Sequence, residues 1–262
     1  MDKVKNKAAK VEAFERLMEI MEDLRAGCPW DMKQTWESLR HLTIEEVYEL
    51  GDAILDDEAN EVKKELGDIF LHLVFYAKIA EESKGFDLAD ALNHVCEKLI
   101  HRHPHIYADV IVANEDEVKS NWEKLKLKEG AKGVLSGVPQ SLPAMVKAQR
   151  IQEKARGVGF DWENQEQVWS KVQEELEEFH HACHVSDNQE KMNELGDVLF
   201  SIINYARFLG LNPEEALERT NKKFIRRFHF MENKMKEQNL NWDNLSLEGM
   251  DVFWNQAKRE GL

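Results

Sequence analysis

The sequence predicts an all-α protein made of two tandem copies of one helical-bundle unit, produced by internal duplication. Three observations carry this. The tetrad Glu65-Leu66-Gly67-Asp68 recurs at Glu194-Leu195-Gly196-Asp197, an offset of 129, and ten of the 32 residues from 46 to 77 are identical to their partners at that offset. Apolar residues recur at helical spacing almost throughout, and the five prolines all fall where helices can begin or end. No long run alternates as a sheet strand would, and only Val110-Ile111-Val112 offers a short strand candidate.

Taken in chain order, the first element is a helix carrying Val11, Phe14, Leu17, Met18, Met21 and Leu24 on one face. Its charges run throughout, which excludes a signal peptide. Residues 66–82 and 195–210 are too continuously apolar for surface helices, so each is expected at the centre of its bundle. The most apolar stretch, 69–77, is far shorter than the ~20 residues of a membrane span. Gly67 points away from the Glu65/Asp68 face and is expected to admit a neighbouring helix. After a small deletion the offset becomes 125, pairing residues 91–102 with 216–227. Later still, Trp122 and Lys126 pair with Trp254 and Lys258. Residues 129–143 concentrate glycine and proline and mark a linker. The expected domains are 1–128 and 143–262, joined by 129–142.

A net charge of -15 argues against direct nucleic-acid binding, which needs a basic stripe. The three cysteines, Cys28, Cys96 and Cys183, are far apart and fit a reducing cytoplasm better than a disulfide framework.

Chemistry enters with the carboxylates. Each copy carries E-x-x-E on one helix and E-x-x-D on the next: Glu46, Glu49, Glu65 and Asp68, then Glu175, Glu178, Glu194 and Asp197. Residues three apart share a helix face, so two antiparallel helices would converge four carboxylates on one point. Four close negative charges repel unless a cation joins them, and an all-oxygen set suits Mg2+, with Mn2+ as a substitute. A single E-x-x-E is more often a solvated acidic face; a quartet duplicated in register is not. Di-iron bundles use a Glu-x-x-His pair on each of two helices, and neither Glu-Leu-Gly-Asp tetrad supplies a His at that spacing.

Basic residues distinguish the copies. Lys171 precedes Glu175 by one turn, where the first copy has Leu42; Asn221, Lys222 and Arg226 stand where the first copy has Cys96, Glu97 and His101. Mg2+ sites of carboxylates take substrate phosphates as remaining ligands, and phosphate needs cations. The chemistry is therefore assigned to the second copy. Trp254 and Lys258 could add a stacking face and a phosphate contact. The histidine-rich runs 180–184 and 101–105 read as helix ends, and Gly157-Val158-Gly159 is not a phosphate loop.

With both acidic sets, the segment GVPQSLPAMVKAQRIQEKARGVGFDW and NKKFIRRF in view, the whole chain closely resembles the MazG family of tandem-domain nucleoside triphosphate pyrophosphohydrolases. That resemblance implies a fold related to dimeric dUTPases and phosphoribosyl-ATP pyrophosphatase, and a homodimer. It also implies Mg2+-dependent cleavage of nucleoside triphosphates to monophosphate and pyrophosphate with broad base tolerance. The family's metal ligands fall on Glu175, Glu178, Glu194 and Asp197, and its substrate contacts on Lys171, Asn221, Lys222, Arg226, Trp254 and Lys258. Leu42, Glu97 and His101 depart from the pattern, which makes the first copy, with its second carboxylate set, a structural or regulatory unit that could contact a protein partner. The rival readings are a base-selective dUTPase- or dCTPase-like enzyme and a non-catalytic nucleotide- or metal-binding regulator.

Overall fold

The computed structural model describes residues 7–114, 117, 118, 121, 122, 125 and 133–262. Its contacts divide into two compact units, Met1–Ile111 and Val112–Leu262. The division thus falls earlier than the expected boundary at 128, which lies outside the described residues, as does Lys126. Residues 133–142 of the expected linker are a series of turns belonging to the second unit, and Lys147 Nζ ties them down by donating to Gln140 O at 2.6 Å.

The first unit contains α1 (Lys7–Gly27), a short 3-10 turn at Asp31–Lys33, α2 (Trp36–Leu55), α3 (Ala59–Ser83), α4 (Leu88–Arg102) and the single-turn α5 (Pro104–Tyr107). Local chemistry sets the starts. Thr35 accepts from Ser38 N while the Ser38 hydroxyl serves the Thr35 amide, and Asp87 and Asp90 repeat that capping box for α4. The short connection between α2 and α3 makes them antiparallel neighbours. Met21, Leu39, Val74, Phe75 and Ile79 form the core, with Phe14, Leu17, Trp36, Leu42 and Tyr76 packed around it.

The second unit contains α6 (Ala144–Gly157), α7 (Gln165–Val185), α8 (Asn188–Phe208), α9 (Pro213–Glu237), a 3-10 turn at Trp242–Asn244 and α10 (Leu247–Arg259). Asn164, Asp187, Asn212 and Ser246 cap the starts, and Pro213 fills the first turn of α9, where an amide would have no helical partner. α7 and α8 form the main antiparallel pair, α6 and α9 pack on α8, and α9 packs on α10. Met231, Met235 and Phe253 close the α9–α10 end.

Three expectations need correction. Val110–Val112 forms no strand, and no strand occurs among the described residues to pair with it. α3 and α8 are indeed packed on several neighbours, but only on one side. Leu66, Phe70 and Leu73 remain 43%, 50% and 51% exposed, and their partners Leu195, Leu199 and Ile202 remain 43%, 49% and 44% exposed. Gly67 and Gly196 lie beside these residues, and a Cβ at either would meet nothing within 4 Å, so neither admits a helix of its own chain.

Candidate active site

α2 and α3, and likewise α7 and α8, deliver their acids to one place. In the second unit Glu175 and Glu178 from α7 and Glu194 from α8 offer oxygens that lie within 4.8 Å of one another. Glu46, Glu49 and Glu65 do the same in the first unit. Asp68 and Asp197 stand outside these tight trios. Asp68 is close enough to raise the proton affinity of Glu46 by its charge, and Asp197 shares a cavity wall with Glu175.

The electrostatics fit a cation. Desolvation by the surrounding atoms, then the charge of Glu175, raise the pKa of the exposed Glu178, with Lys171 opposing and Glu174 and Glu194 adding to the rise. Burial followed by Asp68, Glu49 and Glu65 does the same to Glu46. In the first unit Glu65 is 3% exposed; its Oε1 accepts from Lys64 Nζ at 2.8 Å, and its Oε2 is buried with no donor. In the second unit Lys171 Nζ lies 2.7 Å from both Glu174 Oε1 and Glu175 Oε1, and these contacts raise its own pKa further above the ordinary lysine range. Hard all-oxygen donors facing one another match a divalent Mg2+-type ion.

Beside the carboxylates of the second unit opens a cavity of about 610 Å3. Lys171, Glu175 and Asp197 form one wall; Phe160, Trp162, Val168 and Phe200 supply apolar surface; Ser201, Asn204 and Arg207 line it from α8. Asp161 and Arg207 pair across it, with Nη1 donating to Oδ2 at 3.0 Å. None of Asn221, Lys222, Arg226, Trp254 or Lys258 is in the cavity wall. Asn221 Nδ2 donates to Glu218 Oε2 at 3.1 Å, Arg226 and Lys258 are exposed, and Trp254 packs on Phe224 with ring centroids 4.9 Å apart. Of the expected set the cavity wall therefore includes Lys171, Glu175 and Asp197, and none of the α9–α10 residues.

Beyond Lys171, Glu175 and Asp197, the cavity residues were missed by motif reasoning, yet comparison at the offset of 129 that singled out Lys171 also signals Ser201 and Asn204. Lys171, Ser201 and Asn204 correspond to Leu42, His72 and Phe75. All three first-copy residues are packed inside: Leu42 against the core, His72 at 7% exposure and Phe75 at 2%. The histidine runs behave as expected: His180 and His184 are exposed, and α4 ends at Arg102 just before Pro104.

The MazG nucleotide pyrophosphohydrolase domain matches residues 34–107 and again 163–230. The chain is 40% identical over 258 residues to the nucleoside triphosphate pyrophosphohydrolase of Escherichia coli K12, covering 95% of this chain and 98% of that protein. It is 42% identical over 250 residues to the nucleoside triphosphate pyrophosphohydrolase/pyrophosphatase MazG of Thermotoga maritima, covering 94% of this chain and 95% of that one. It is also 41% identical over 261 residues to YabN of Bacillus subtilis, covering 97% of this chain and 53% of that protein. Two matched domains in register with two converging carboxylate sets leave one conclusion: the chain belongs to the MazG nucleotide pyrophosphohydrolase family.

Proposed function

We propose that the protein is a Mg2+-dependent nucleoside triphosphate pyrophosphohydrolase of broad base tolerance, releasing monophosphate and pyrophosphate, and that the second copy does the chemistry. The observation that carries this is the Glu175–Glu178–Glu194 trio opening onto a cavity with Lys171 at its edge. Glu175, Glu178, Glu194 and Asp197 would hold Mg2+, with Mn2+ as a substitute. Bound there, the ion supplies charge neutralisation for phosphate oxygens and a lowered pKa for attacking water. Lys171 changes partner when substrate arrives, leaving Glu174 and Glu175 for a phosphate oxygen. Lys222 and Arg226, one turn apart on α9, face charge developing on pyrophosphate. Asn221, Trp254 and Lys258 complete the contacts expected of the family.

The first copy holds a divalent ion at Glu46, Glu49, Glu65 and Asp68 without turning over substrate. Buried Glu65 Oε2 lacks a donor there, and Leu42 replaces the phosphate-facing lysine. This copy is also the surface offered to a protein partner. The exposed apolar stripes on α3 and α8, repeated at nearly equal exposure in both copies, are covered by a second copy of the chain in a homodimer. Among the described residues no helix is long and apolar enough to cross a membrane, and the cysteines form no disulfide, which suits a cytoplasmic enzyme.

The test is incubation with GTP and dUTP, with and without Mg2+, and separation of products by ion exchange. Monophosphate plus pyrophosphate, requiring Mg2+ and reduced at least 100-fold in Glu194→Gln, is the expected result. Diphosphate plus phosphate, or activity surviving in Glu194→Gln, would sink the assignment.

A further inference from the structure

The cavity beside the carboxylates has the composition of a site for a flat, partly polar ring. Phe160 is 83% exposed and Trp162 42% exposed, yet both line a recess instead of packing into the core. Val168 and Phe200 add apolar wall. Aromatic faces of this kind stack on any base and so tolerate many of them.

Two polar groups in that recess have their orientation fixed: Gln152, whose Nε2 donates to Phe200 O at 2.9 Å and whose buried Oε1 has no partner, and Asn204. Arg207 is a donor-only side chain, 7% exposed, anchored through Nη1 and Nη2 on the Asp161 carboxylate. Its Nε and Nη2 also donate to Asn204 Oδ1 at 3.0 and 2.8 Å. Two donors on the amide oxygen settle which way Asn204 is turned, so its Nδ2 must be the opposite end of the amide. That nitrogen has no hydrogen-bond partner among the described residues, although Asn204 lines the cavity. The pre-set Asn204 amide is therefore a donor in want of an acceptor.

The first copy shows the same place closed. Phe75 stands where Asn204 is and His72 where Ser201 is, both buried. Lys78 replaces Arg207 and pairs instead with Glu22 and Glu81. The polar relay and the recess thus occur together in the copy that carries Lys171.

We propose that this cavity seats the nucleobase, and that Asn204, turned by the Asp161–Arg207 pair, reads it by donating its amide N–H to a ring carbonyl. The inference rests on the nucleoside triphosphate reading of the adjoining carboxylates. Stacking supplies tolerance, and the single donor supplies a ranking: bases presenting a carbonyl are cleaved faster than analogues without one. Asn204 is a specificity residue, and Arg207 and Asp161 are positioning residues behind it.

The experiment compares inosine triphosphate with purine riboside triphosphate, which lacks the 6-oxo group and its accompanying N1–H. The wild-type enzyme should favour inosine triphosphate roughly fivefold in kcat/KM, the value of one neutral hydrogen bond. In Asn204→Ala the ratio should fall to about one. A wild-type ratio near one overturns the proposal, and needs no variant to fold. So does a ratio unchanged in Asn204→Ala. Calorimetric binding of inosine monophosphate against purine riboside monophosphate, with Mg2+ present, is the second arm. If no triphosphate is cleaved, the pyrophosphohydrolase reading fails, while equal binding of the two monophosphates is what refutes the base seat.

Discussion

His72 and Ser201 occupy equivalent positions, and the exchange has a measurable consequence. Ser201 satisfies itself on Val198 O at 2.9 Å, whereas His72 is 7% exposed and its Nδ1 has no partner. Burial holds the His72 pKa below its usual 6.5, and the charge of Asp68 opposes this only in part. Between the folded and unfolded values the unfolded chain binds more protons, so stability falls as pH drops through 6.5 and levels off below the folded pKa. Urea midpoints at pH 7.5 and 5.5, in chelator, should therefore separate more in the wild type than in His72→Gln. The difference has a ceiling of about 1.4 kcal/mol per pH unit for one proton. Equal acid sensitivity in the two would show that His72 is not desolvated. At this scale the sequence was only half readable. Helical spacing put Glu175 and Glu178 on one face, and duplication marked Lys171 against Leu42. Nothing in spacing, however, brings Asn204 and Arg207 on α8 to Asp161 in the loop before α7, because that pairing exists only once α7 and α8 have packed.

Helices were legible where local chemistry alone decides them. Thr35, Asp87, Asn164, Asp187, Asn212 and Ser246 each accept from an amide of the following turn, and their residue types announce it. α3 and α8 were less legible, because a continuously apolar run says that all sides are covered without saying by what. Their inner faces reach their own bundles, while Phe70 and Leu199 remain about half exposed and Gly67 and Gly196 leave open space beside them. A helical glycine costs about 1 kcal/mol relative to alanine, a cost that close approach of a second chain would offset. The protein should sediment at twice the 30.6 kDa chain mass. Phe70→Lys combined with Leu199→Lys should convert it to monomer with helical content retained, since both side chains are about half exposed and neither belongs to a buried core cluster, Phe70 meeting Phe14 edge to face. A wild-type monomer would refute the association, and an undisturbed dimer in the double variant would place it elsewhere.

Across the molecule, duplication has produced two carboxylate centres in a chain already carrying a net charge of -15. In each trio one member, Glu46 or Glu178, has its pKa raised, by desolvation first and by the charges of neighbouring acids second. A divalent ion bound as proposed would relieve both centres, and because the unfolded chain holds no such arrangement, binding would add directly to stability. At 100 times the dissociation constant one site contributes about 2.7 kcal/mol, and in a domain of this size each kcal/mol raises Tm by roughly 4 °C. The two units need not melt together, so calorimetry should follow each transition with Mg2+ and with chelator. Glu194→Gln should abolish the Mg2+ shift of the second unit along with turnover. Glu65→Gln should abolish that of the first unit while the second copy keeps its carboxylates intact. The asymmetry is the informative part: a first-unit shift lost in Glu65→Gln with cleavage retained would separate metal holding from chemistry, as Leu42 in place of a lysine requires. A shift that survives when Glu65→Gln and Glu194→Gln are combined would mean that the ion binds at neither trio.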